Sequence, residues 1–96
     1  MQTQASKHLG VDGYPRNKDQ DEKISLDLAS AFNTPSGIAT MQYLKSITIE
    51  AIAGSNITNE ELRHLEGQRY LVALIAKRIQ HAERINHGRA SRTNNK

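Results

Sequence analysis

The sequence predicts an all-α fold: two long antiparallel helices forming a hairpin, preceded by a shorter helix and an extended N-terminal arm. Three observations predict it. From Ile24 to Ile85 apolar residues recur at three- and four-residue spacing, the period of a helix with one buried face. The two prolines, Pro15 and Pro35, fall at breaks in that pattern rather than inside it. Thr58-Asn59-Glu60-Glu61 is a capping box, with Ile57 and Leu62 placed as the hydrophobic staple around it.

Residues 1–20 have no apolar period and contain Gly10, Gly13 and Pro15. They read as an arm, flexible or ordered on a partner, with Val11-Asp12-Gly13-Tyr14-Pro15 as a turn. The helical domain is expected over 21–88. Ile24, Leu28, Ala31 and Phe32 make one stripe of a helix over about 21–32, with Asp19, Asp21 and Glu22 at its start, where negative charge suits the dipole. Pro35 ends that helix by excluding Thr34 from helical backbone, and Thr34-Pro35 then reads as the N-cap and first residue of the next.

The second helix is expected over 35–53, with Met41, Leu44, Ala51 and Ile52 on one face, Ile38 and Ile47 widening it, and Gly54 as its stop. Thr48 falls on that stripe, where its hydroxyl can bond the carbonyl of the preceding turn. The third helix is expected over 59–87, closed by Gly88, with Leu62, Leu65, Val72, Ile75, Ile79 and Ala82 as its core line. Such a helix is about 43 Å long against about 28 Å for the second, so it overhangs by several turns. The overhang carries Ile79, Ala82 and Ile85, which a second subunit or a larger host protein would cover.

Ninety-six residues make one small domain, and a monomer this short buries little of its unfolded surface. Apolar residues are 36% of the chain and aromatics 4%, too little material to wall a deep private pocket. With no cysteine, disulfides, thiolate metal sites and thiol nucleophiles drop out. No stretch approaches 18 apolar residues, so no membrane partner is expected. Met1-Gln2-Thr3-Gln4-Ala5 has neither the charged nor the apolar region of a secretion signal, so synthesis in the cytosol is expected.

The net charge of +3 is unevenly placed: residues 77–96 hold Lys77, Arg78, Arg84, Arg89, Arg92 and Lys96 against Glu83 alone. Lys77, Gln80, His81, Arg84 and His87 share a helix face that could track phosphates, with 89–96 as a basic tail. The plainer reading is that cations at a helix C-terminus complement its dipole. After it come an acidic protein partner and then nucleic acid. No aromatic is interleaved with the basic residues, as single-strand binding would favour.

No nucleotide loop, nucleophile elbow, zinc helix or calcium loop is present, so no catalytic residue, cofactor or metal is assigned and the chain is not expected to be an enzyme. Glu60 and His64 stand four apart, a spacing more suited to a solvated pair than to a metal site. Gly67 interrupts the third helix at a cost of about 1 kcal/mol relative to alanine. Gly67-Gln68-Arg69 reads as a packing feature or as a partner-docking notch, with the Arg69 stem on the apolar stripe and its head on a carboxylate.

Phe32-Asn33-Thr34-Pro35-Ser36-Gly37, then Met41 and Leu44, then Leu65-Glu66-Gly67-Gln68-Arg69 and Val72 resemble a family of small all-α proteins encoded among the head and tail genes of short-tailed phages. Its recurring marks are a TPxG that opens one helix and an EGxR within the next; the likeness covers residues 31–84. The resemblance implies a non-enzymatic virion structural or accessory protein, made in the host cytoplasm during assembly, multi-copy, and docked on a portal, head–tail adaptor or other ring or shell. On that expectation Ile79, Ala82 and Ile85 supply apolar contact, and Lys77, Arg78 and Arg84 meet an acidic partner. The alternative is a small basic nucleic-acid-binding protein that assists genome packaging or ejection through its C-terminal end.

Overall fold

The structure is a computed structural model and describes residues 8–94. It is all-helical: α1 spans Lys18–Phe32, α2 Pro35–Ser46 and α3 Asn59–Asn94. Among the described residues no strand forms; Leu9 and Pro15 meet in one isolated antiparallel bridge.

Helix α1 starts three residues before the expected Asp21 because Asn17 caps it. The Asn17 side-chain oxygen accepts from the Asp19 amide at 2.8 Å and the Gln20 amide at 3.4 Å, satisfying donors the first turn leaves orphaned. At its far end the α1–α2 corner is tight. Thr34 caps α2, its hydroxyl oxygen accepting from the Gly37 amide at 3.0 Å. A Cβ on Gly37 would lie 2.5 Å from the Ala31 carbonyl oxygen and 2.6 Å from the Phe32 Cα. The glycine of the TPxG segment is therefore required by backbone approaching backbone.

Helix α2 ends at Ser46, short of the expected residue 53. The β-branched run Ile47-Thr48-Ile49 follows, which loses side-chain freedom in a helix, and the chain passes into turns with Glu50 N–H donating to the Lys45 carbonyl at 2.9 Å. Thr48 does bond the preceding turn, donating to the Leu44 carbonyl at 2.6 Å, and is buried. Helix α3 runs in the other direction from expectation, through Gly88 to Asn94. The one glycine with positive φ is Gly13, so Gly88 has not adopted the left-handed backbone that would end a helix there. The start of α3 forms as read: Glu61 N–H donates to the Thr58 hydroxyl at 3.1 Å and Thr58 N–H to the Glu61 carboxylate at 2.9 Å.

Packing corrects the picture of a bare overhang. Helix α3 packs chiefly on α1 and only lightly on α2, so the far part of α3 is covered by the chain's own first helix. The buried side chains are few and half polar: Ala29, Met41, Val72 and Ala82, with Asp21, Ser25, Thr48 and Arg78. The molecule is open for its size, with a radius of gyration of 17.1 Å, where a compact chain of this length would have about 12 to 13 Å.

Candidate docking surface

The expected partner-binding residues divide into two groups. Ala82 is fully buried and Arg78 is 2% exposed, so neither meets a partner, and both assignments are corrected. Ala82 packs inside the fold because α1 lies on this part of α3. Arg78 is held by its own chain: Nη1 lies 2.6 Å from Asp21 Oδ1, 2.8 Å from the Asp21 carbonyl oxygen and 3.0 Å from Ser25 Oγ. Its Nη2 lies 3.4 Å from Asp12 Oδ2. A charge this deep is tolerable because acceptors face both of its Nη nitrogens.

That cluster also gathers residues 8–17, part of the arm expected to be flexible or ordered on a partner. The Val11 amide donates to Asp21 Oδ1 at 3.1 Å, and Arg16 donates to Asp12 Oδ2 through Nε at 2.9 Å and Nη2 at 2.6 Å. The Arg16 guanidinium holds the Asp12 carboxyl down to about 2, burial opposing and the Tyr14 amide and Arg78 assisting. Gly13 at φ 85° makes the turn, and a Cβ on Gly10 would sit 2.6 Å from Asp21 Oδ1. Residues 8–17 thus close on their own chain; residues 1–7 of the expected arm lie outside the described residues. Ser25 Oγ lies 2.7 Å from His81 Nδ1. That oxygen also accepts from Arg78, so Ser25 links the buried arginine to His81.

Lys77 and Arg84 are exposed, as an acidic partner would need. Ile79 and Ile85 are half-buried rather than bare. Ile79 lines a groove of about 370 Å³ whose apolar wall includes Phe32, Ile38, Met41 and Ala76, with Lys45 among the polar residues lining it. The Gly67-Gln68-Arg69 segment does three separate things. Around Gly67 there is open space, with nothing within 4 Å of a Cβ placed on it. Gln68 pairs with His64 at 3.2 Å. Arg69 reaches out of α3 to the segment after α2, donating to the Thr48 carbonyl at 2.8 Å and the Ala51 carbonyl at 2.6 Å, while its other nitrogen meets Glu66 at 3.1 Å. These carbonyls lack helical partners because α2 has ended; the Thr48 carbonyl also accepts from the Ala51 amide at 3.2 Å, and Arg69 donates to both.

The surface that sequence reasoning missed lies in the segment Arg69 anchors. Ile47, Ile49 and Ile52 are 47%, 43% and 95% exposed. The period read as a helix face through Ile52 placed Ile47 and Ile52 inside; once α2 stops at Ser46 both face solvent, with Ile49 between them. The signal was available in the β-branched run that stops α2. Among the described residues no group of His, Asp and Glu is placed to hold a metal, and no helix is long and apolar enough to cross a membrane.

No protein family, no curated protein and no solved structure matches this chain.

Proposed function

We propose that the chain is a non-enzymatic virion structural or accessory protein that docks, in several copies, onto a portal, head–tail adaptor or other ring or shell of a short-tailed phage. The observation that carries the docking reading is Ile52, 95% exposed in the uncharged stretch 51–59, with Ile47 and Ile49 beside it in sequence. An isoleucine held out on a segment clamped by Arg69 is a preformed apolar contact, and exposed apolar surface of this kind marks interaction sites. The phage setting rests on the TPxG and EGxR resemblance, with α2 and α3 taken as the antiparallel hairpin of that family. Lys77 and Arg84 then meet acidic groups of the host assembly.

The test is incorporation. Purified virions carrying Ile52→Asp should lack the protein, while the isolated variant keeps wild-type helicity, because the side chain touches little of its own fold. Wild-type occupancy in those virions rejects the reading.

Nucleic-acid binding is the second reading, favoured by the exposure of Lys77 and Arg84 on one side of α3. With Arg78 sequestered, at most five cations remain at the C-terminal end. Duplex binding through them would give a log–log salt slope of about −4 to −5. A flat response rejects it.

A further inference from the structure

Gly67 lies within α3, exposed, and no atom of its own chain uses the space beside it. It does not sit alone. Gly67, Tyr70, Leu71 and Leu74 follow at i, i+3, i+4 and i+7 and share one stripe of the helix. Tyr70 is 62% exposed, Leu71 58%, and Leu74 half-buried. This stripe has the same helical phase as Arg78, Ala82 and Ile85 further along α3. Helix α1 buries Arg78 and Ala82, yet Tyr70 and Leu71 stand open.

We propose that this open part of α3 pairs with the same stripe of a second copy, the two helices running antiparallel about a two-fold axis. The stripe is self-complementary in that arrangement. A two-fold centred between Tyr70 and Leu71 sets Leu74 of the second copy over Gly67, and brings Tyr70 beside Tyr70 on one flank and Leu71 beside Leu71 on the other. The largest side chain on one end of the stripe meets the missing side chain on the other. Charge agrees with shape. Glu66 and Lys77 lie on the same flank, about 20° apart around the helix at 100° per residue. An antiparallel two-fold keeps that flank together and reverses its direction, so Glu66 of each copy approaches Lys77 of the other. Isologous two-fold pairing is also the commonest way for identical chains to associate. The contact spans only two helical turns, so the association is a weak one, below the area of a standard interface.

This pairing is independent of the virion reading, since it uses a different surface and is measured without a phage particle. Sedimentation velocity on the full chain, from about 1 µM to about 1 mM, tests it over the range a small interface allows. Wild type should pass reversibly from monomer to dimer. Leu71→Glu should remain monomeric with unchanged helicity, and Lys77→Glu should weaken the dimer several-fold. Gly67→Ala is the deciding variant. It fills empty space within one chain and favours the helix, so the thermal midpoint measured at a concentration where the chain is monomeric should rise. It also blocks the seat of Leu74 from the second copy, so dimerisation should weaken at least tenfold. A chain monomeric throughout overturns the proposal. So does a dimer indifferent to Leu71→Glu and Gly67→Ala, which would pair through another face, and so does a stripe that binds only a different protein.

Discussion

The Arg78 guanidinium and the Asp21 carboxylate meet at 2.6 Å with side chains only 3% and 2% exposed. This pair joins the middle of α3 to the first turn of α1, and through Asp12 and the Val11 amide it also fixes residues 8–17. Removing one partner strands the other in the interior. Arg78→Met should therefore destabilise the fold by about 3 to 5 kcal/mol, enough to unfold much of so small a domain. Arg78→Met with Asp21→Leu should recover part of that loss, since no buried charge is then left alone. Urea denaturation of the two variants checks both.

Acid should weaken the same corner from its outer side. Asp12 has its carboxyl lowered from 3.8 to about 2, chiefly by Arg16. A depressed folded-state value means that its stabilisation is fully present above about pH 4 and is lost as pH falls toward 2. Denaturation midpoints measured at pH 5 and pH 3 should differ, and the difference should shrink in Asp12→Asn. An unchanged difference would place the acid response elsewhere.

Arg69 should control the segment that presents Ile52. Arg69→Lys keeps the charge but cannot span two carbonyls with a planar fork. Amide exchange over 47–52 should accelerate, and stability should fall by about 1 to 3 kcal/mol as the Ala51 carbonyl loses the Arg69 donor and the Thr48 carbonyl keeps only the Ala51 amide. Hydrogen-exchange mass spectrometry reads the first effect directly.

Glycine substitutions should split by position. Gly37→Ala drives a methyl into the Ala31 carbonyl and Phe32 backbone and should destabilise the α1–α2 corner. Gly88→Ala meets nothing within 4 Å inside a continuous helix and should stabilise by up to about 1 kcal/mol. Thermal midpoints of the two variants should move in opposite directions.

Local chemistry was legible and distant pairing was not. The capping box at Thr58 and Glu61, the Thr34 cap with Pro35, and the Thr48 hydroxyl bond all lie within four residues of their partners, so the sequence displays them. Glu61 even shows the expected response, its carboxyl held low by the Thr58 amide and hydroxyl. Arg78 and Asp21 are 57 residues apart. In the sequence one is a member of a basic end and the other an acid at a helix start, and charge patterning offers no reason to join them. The same blindness left Ala82 on an imagined overhang, because the helix that covers it comes first in the chain. The extent of α2 was misjudged for a different reason: periodicity continued through Ile52, but β-branched residues and the Arg69 clamp favoured a turn.

The 57-residue span between Asp21 and Arg78 also sets an order of events during synthesis. At usual ribosomal rates, roughly 3 to 11 seconds separate the two residues. Throughout that interval α1 has no arginine to receive its carboxylate and no Ala82 to lie against. The nascent chain must therefore wait, with Asp21 and Ser25 hydrated, until α3 arrives. Folding is a closing step made late in translation, and a ribosome stalled before residue 78 would hold a first helix with α2 beside it but without the part of α3 that answers its buried carboxylate.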